Sequence, residues 1–164
     1  MATGIWFPEI GWAPSFGAPA WAARDRGLDP SLGRRIHVLM IEDDPAIAEM
    51  YRLQLEHDGY VVSIATTGEI AQSLLAADGP DLVLLDLLLP DRSGFDVLAS
   101  LNEGLPNHPP VVILSNYGEP SMMDRGRSLG AIEYLVKSRV TPAEISRQIP
   151  TWIEESHGGE PADS

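Results

Sequence analysis

The chain has 164 residues, 11 Lys plus Arg against 24 Asp plus Glu, a formal net charge of −13 and no cysteine. That length fits one domain with tails, the acidity argues against nonspecific binding to nucleic acid or anionic lipid, and the missing cysteines remove disulfides, thiolate chemistry and Cys-ligated zinc. No apolar stretch approaches the ~20 residues that span a membrane, and the amino terminus lacks the basic start and apolar core of a signal peptide, so a cytoplasmic protein is expected.

Residues 1–35 read as an extension. Pro8, Pro14, Pro19 and Pro30 with Gly4, Gly11, Gly17, Gly27 and Gly33 argue against helix or strand there. Yet Trp6, Trp12 and Trp21, three of the four tryptophans, are too many for a simple solvated linker. The expectation is a disordered extension or an arm that docks by its aromatics.

From Ile36 the chain alternates strand and helix. Ile36–Ile41 is an apolar strand closed by Glu42-Asp43-Asp44. Asp44-Pro45 opens the first helix as N-cap and first helical position, with Ile47, Tyr51 and Leu55 on one face. His57-Asp58-Gly59 stops it. Tyr60–Ala65 is the second strand. Thr67 caps the second helix, whose apolar residues are Ile70, Leu74 and Leu75. The third strand, Asp81–Asp86, is a nearly continuous apolar run ending in a carboxylate, as expected of a strand buried on both faces. Gly94–Leu101 is a short third helix, and Val111–Ser115 the fourth strand. Glu119–Leu129 is a weak fourth helix interrupted by Gly126. Ile132–Val136 is the fifth strand. Thr141-Pro142 opens a fifth helix, which Pro150 should end or kink near Ile149. Trp152 and Ile153 would then be free to pack elsewhere. Residues 154–164 read as an acidic disordered tail.

Five strands alternating with five helices predict an α/β fold, a flavodoxin-like doubly wound parallel sheet of order 2-1-3-4-5 with helices on both faces. In that order the first and third strands are neighbours, so Asp43 and Asp86 meet at one end of the sheet. Clustered carboxylates cannot all stay ionised cheaply. A hard divalent cation with oxygen ligands, most simply Mg²⁺, relieves the repulsion. Ser115 and Lys137 close the fourth and fifth strands. A metal, a carboxylate nucleophile, a hydroxyl and an ammonium are the equipment for moving a phosphoryl group.

The segments Val38–Pro45, Pro80–Pro90, Val111–Ser115 and Glu133–Lys137 resemble those of the receiver domain of two-component response regulators. The spacings agree too: 43 residues from Asp43 to Asp86, 29 on to Ser115 and 22 on to Lys137. The resemblance covers residues 36 to about 149, within a receiver domain set at 36–153. It implies that Asp86 is the phosphoacceptor and that Asp43 ligates Mg²⁺ directly. Glu42 would act on the ion through water, and the backbone carbonyl of Leu88 would be a further ligand. Ser115 would bond a phosphoryl oxygen, Lys137 would pair with the phosphoryl group, and Tyr134 would swing between exposed and buried positions. Asp44 is assigned to capping. Departures are Ser138 in place of a proline after the lysine, which removes the expectation of a cis bond, Asn116 after the switch hydroxyl, and Pro150.

The resemblance further implies a stand-alone response regulator that takes its phosphoryl group from a histidine kinase or histidine phosphotransfer protein. It would signal to a downstream protein partner through its fourth helix, fifth strand and fifth helix. The arm would mask that face or join two chains as a homodimer. No nucleic-acid or membrane partner is expected. Two alternatives remain open: a phosphorylation-independent interaction module, and an aspartyl-phosphate phosphohydrolase. Leu88 counts against the latter, because such enzymes place an aspartate two residues after the nucleophile.

Overall fold

The computed structural model describes residues 25–105 and 107–158, and, of the first 24 residues, the backbone of Gly4–Phe7 and Gly11–Pro14 alone. These two segments, β1 (Gly4–Phe7) and β2 (Gly11–Pro14), pair antiparallel with Trp6 opposite Trp12. The expectation that Pro and Gly exclude a strand here is corrected. Ile5, Trp6 and Phe7 are strong strand formers, and Pro8 and Pro14 fall just past one strand and at the end of the other, where proline is tolerated. Whether the rest of residues 1–24 is disordered or docked lies outside the described residues, as does the tail from residue 159.

A second small ladder pairs β3 (Leu28–Asp29) with β4 (Arg34–Arg35). The turn between them is set by Asp29, whose Oδ1 accepts from the Ser31 N–H at 2.9 Å, and by Gly33 at φ +63°.

The main sheet is parallel. Its strands are β5 (His37–Ile41), β6 (Val61–Ala65), β7 (Leu82–Asp86), β8 (Val111–Ser115) and β9 (Glu133–Val136), in the order β6-β5-β7-β8-β9. Counted within this sheet, that is 2-1-3-4-5, as expected. β7 and β8 are buried at every residue, which is why they read as unbroken apolar runs. Period-two alternation splits the core. Leu39, Ile41, Val83, Leu85, Val111 and Ile113 face α2 (Gly68–Asp78), α3 (Gly94–Gly104) and α4 (Pro120–Ser128). Val38, Met40, Leu82, Leu84, Val112 and Leu114 face α1 (Pro45–His57) and α5 (Pro142–Gly158).

Helix starts follow their capping residues. Asp44 caps α1 by accepting from the N–H groups of Ala46 and Ile47, and Thr67 caps α2 by accepting from Ile70 N–H. Thr141 and Glu144 cap α5 reciprocally, each side chain accepting from the other's backbone N–H at 3.2 and 2.8 Å. One helix face differs from expectation, and α4 is weak as expected but runs unbroken through Gly126. Ile70 is exposed, and Ala71 with Leu75 supplies the buried stripe of α2. α4 is the weakest helix: its N-cap Glu119 makes no side-chain cap bond and its only buried residue is Gly126.

Pro150 neither ends α5 nor frees Trp152. The helix runs through it to Gly158, past Glu154 where the acidic tail was expected to begin. Trp152 and Ile153 are buried in the core between α5 and the sheet. Pro150 has no N–H to give the Ser146 carbonyl, and the Tyr60 hydroxyl, 2.7 Å away, donates to that carbonyl instead. Trp152 therefore stays on the inner face, where a docked tryptophan removes about 150–250 Å² from water.

Candidate functional site at the carboxyl ends of the strands

The ladder brings the expected residues to one end of the sheet. Ile41 pairs with Leu85, Asp86 with Leu114 and Ser115 with Val136. Glu42, Asp86, Ser115 and Lys137 therefore emerge side by side from four adjacent strands. Ligand atoms of Glu42, Asp43 and Asp86 lie within 4.8 Å of one another. Glu42 is 1% and Asp86 7% exposed, whereas Asp43 is exposed. Asp44 stands outside this group and caps α1, as assigned.

Lys137 is the local counter-charge. Its Nζ lies 2.5 Å from Glu42 Oε2 and 3.4 Å from Asp86 Oδ2, with 9% of its side chain exposed. Lys137 thus engages Glu42 more closely than Asp86, a pairing the sequence reading did not include. The peptide after Lys137 is trans, like all described peptides, and residues 137–139 form one 3₁₀ turn. Burial raises the Glu42 carboxyl above its ordinary value; Lys137 opposes this and the charge of Asp86 adds to it. Three carboxylates against one ammonium leave the pocket short of positive charge. That donor set, all carboxylate oxygen, suits a hard divalent cation rather than a thiophilic one.

Ser115 is 1% exposed, and its Oγ accepts from the Tyr117 N–H at 3.1 Å. Tyr134 is 2% exposed, and its hydroxyl donates to the Tyr117 carbonyl at 2.6 Å. One loop residue is thus tied at its N–H to the hydroxyl that closes β8 and at its carbonyl to the aromatic of β9. Gly126 makes room for the Tyr134 ring: a Cβ there would stand 3.1 Å from Tyr134 Cδ2 and 2.7 Å from Ile113 Cδ1. Leu88 and Tyr117, at 56% and 42% exposed, are large apolar side chains near the mouth of the site. The Leu88 N–H donates to Asp86 Oδ1 at 3.3 Å.

Sequence reasoning missed the scaffold of the loop after Asp86. Gly94 packs where a Cβ would lie 2.4 Å from the Asp86 carbonyl oxygen, so only glycine lets α3 start so close. The Asp91 carboxylate accepts from Gly68 and Glu69 N–H groups at 2.9 and 3.1 Å, tying this loop to the first turn of α2. These bonds hold its carboxyl below the usual value. Nothing in the local sequence separates these two residues from ordinary turn formers.

Residues 38–149 match the family model of the response regulator receiver domain. The chain belongs to that family. Among relatives, the transcriptional regulatory protein TrcR of Mycobacterium tuberculosis is 31% identical over 133 residues, covering 80% of this chain and 51% of TrcR. KdpE of the same species is 41% identical over 100 residues, covering 61% of this chain and 43% of that protein. The chain thus spans about half the length of the curated relatives it matches. Two solved receivers superimpose well. A CheY-like receiver domain protein of Methanospirillum hungatei gives a TM-score of 0.69 at 25% identity, covering 76% of this chain and 98% of that one. The BeF3-activated receiver domain of Klebsiella pneumoniae RstA gives 0.66 at 25% identity, covering 71% and 97%. Among the described residues no helix is long and apolar enough to cross a membrane.

Proposed function

We propose that this receiver accepts a phosphoryl group on Asp86 from a phosphohistidine of a histidine kinase or histidine phosphotransfer protein. The observation that carries the reading is the setting of Asp86: a carboxylate beside Glu42, Asp43 and Lys137, 7% exposed at a strand end. An Asp86 oxygen lone pair forms the new O–P bond as the P–N bond breaks. The electron pair of that bond stays on the donor imidazole, which takes up a proton from solvent. Asp43 and Asp86, with the Leu88 carbonyl, would hold Mg²⁺, and Glu42 would act through water. When bound, the ion supplies positive charge against the clustered carboxylates and the transferred oxygens. Lys137 turns its ammonium from Glu42 toward the phosphoryl group, and Ser115 exchanges its bond to Tyr117 N–H for one to a phosphoryl oxygen. Tyr117 then moves, and with it the carbonyl that holds Tyr134. The response is read on the face of α4, β9 and α5, where α4 has little buried area to hold it. A downstream protein partner, or a second copy in a homodimer, would engage that face, in the cytoplasm.

Leu88 offers no acid or base for turnover, which favours a phosphoacceptor over a phosphohydrolase. The presence of Asp43, Asp86, Ser115 and Lys137 together favours it over a phosphorylation-independent module. Incubation with acetyl phosphate and Mg²⁺ followed by intact mass measurement separates the three. A retained gain of one phosphoryl group is expected. Continuous phosphate release without that gain, or no change at all, overturns the reading.

A further inference from the structure

The amino-terminal extension does not merely precede the receiver; its last residues are fastened beneath it. Asp58 caps the carboxyl end of α1, at the negative end of the helix dipole, and is 2% exposed. A carboxylate there needs a cation and donors. The cation is Arg26, whose Nη1 lies 2.9 Å from Asp58 Oδ2. The donors are Gln54 Nε2 at 3.0 Å and the Ser146 hydroxyl of α5. Arg26 also donates to Ser146 Oγ at 3.4 Å. Next along the chain, the Gly27 N–H donates to the Asp58 carbonyl at 3.0 Å, and the Gly27 carbonyl accepts from Ile36 N–H. Gly27 is buried so tightly that a Cβ would stand 2.3 Å from the Gly59 backbone. At the other end Arg34 forks onto Asp81, ahead of β7, with both bonds 2.7 Å, and Arg35 donates to the Gly59 carbonyl at 2.8 Å.

All of these extension residues precede the family match at residues 38–149. The segment is therefore an addition to the receiver that meets α5 at the residue whose carbonyl Pro150 leaves to Tyr60. We propose that residues 25–36 form a strap whose pin, Arg26, couples the amino-terminal extension to α5. With the pin in place, Asp58 and Ser146 lock the end of α1 to the first half of α5. With it withdrawn, a buried carboxylate has lost its cation, and the α1–α5 contact opens to hydrate it. Events on the extension are thereby felt at one wall of the α4–β9–α5 face; the meaning of that face as an output surface rests on the proposed function, whereas the coupling does not.

The test is amide hydrogen exchange on the full chain carrying Arg26→Gln. Exchange within residues 142–158 and 55–60 should quicken by at least about tenfold, with α2 and α3 unchanged. Adding Asp58→Asn should return those rates toward wild type, since a neutral amide needs no cation. Arg34→Gln, which removes a half-exposed partner at the far end, should quicken exchange in residues 25–36 without reaching α5. Unaltered exchange in α5 with Arg26→Gln overturns the proposal. So does a uniform rise across all helices, or a double variant no slower than the single one. None of these readouts involves phosphorylation, so failure here is separable from failure of the phosphoacceptor reading.

Discussion

Replacing Tyr60 with Phe removes one hydroxyl from the core and nothing else, and its cost should depend on a proline 90 positions away. The Tyr60 hydroxyl is the donor that satisfies the Ser146 carbonyl, because Pro150 lacks the N–H that would otherwise do so. Burial pushes the Tyr60 phenol above its ordinary value, against the opposing pull of Arg26, so it stays protonated and able to donate. Tyr60 is 3% exposed and Ser146 is fully buried, so water cannot replace the lost bond without opening the contact. Leaving a buried acceptor unpaired costs about 1–3 kcal/mol, while losing one bond of an acceptor that keeps another costs about 0.5–1 kcal/mol. Tyr60→Phe should therefore destabilise the native chain by about 1–3 kcal/mol, a fall in melting temperature of roughly 3–10 °C. In the Pro150→Ala background the restored N–H can reach the same carbonyl, and the same change should cost about 0.5–1 kcal/mol. Denaturant unfolding of the four chains closes the cycle. Equal costs in both backgrounds, or no cost in either, would refute the account of how α5 passes through its proline.

Three further outcomes follow from the same geometry. Leu88→Asn with Tyr117→Glu replaces two exposed apolar side chains by groups able to orient water, and should speed loss of the phosphoryl group by about tenfold or more; an unchanged or slower decay would show that these side chains do not guard the site. Gly126→Ala gains about 1 kcal/mol of helix propensity but crowds Ile113 and Tyr134, and overpacking at about 1–3 kcal/mol should win. A lower melting temperature with greater Tyr134 exposure, read by tyrosine NMR, is expected, and a more stable chain would contradict the packing. Asp81 is pushed up by burial but held below its ordinary 3.8 by the Arg34 fork and the His37 N–H. A depressed carboxyl stabilises the fold above its unfolded pKa and loses that contribution as pH falls through the folded one. Asp81→Asn should flatten the acid limb of the stability curve below about pH 4 and lower stability at neutral pH; an unchanged acid limb would show that the pair contributes nothing.

Much of this molecule was legible because two signals coincide in it. Apolar runs of about five residues between capping and stopping residues mark β5 to β9, and the carboxylates, hydroxyl and lysine that end them fall into register once the strand order is known. Asp44, Thr67 and Thr141 announce their helices because capping is local chemistry. What was not legible depends on distant partners. Pro150 reads as a helix end unless the Tyr60 hydroxyl is known to lie against Ser146. Trp152 reads as released for the same reason. Arg26 and Arg34 look like surface charges of a loose extension until Asp58 and Asp81 are seen opposite them. The Lys137–Glu42 pair spans 95 residues and competes with an equally plausible pairing to Asp86 alone. Gly94 is silent in sequence, and Gly126 reads there only as a helix interruption, because the role of each is the space it leaves.

The central claim is that Asp86 is the group that carries the phosphoryl. The most direct test is intact mass and peptide mapping after exposure of the native chain and Asp86→Asn to acetyl phosphate with Mg²⁺. The native chain should gain one phosphoryl group, mapped to the peptide holding Asp86. The variant should remain folded, with a melting temperature held or raised by the loss of one charge from an acidic cluster, and should gain none. A phosphoryl group taken up by a folded Asp86→Asn chain at the native rate, or mapped elsewhere in the native chain, would contradict the account.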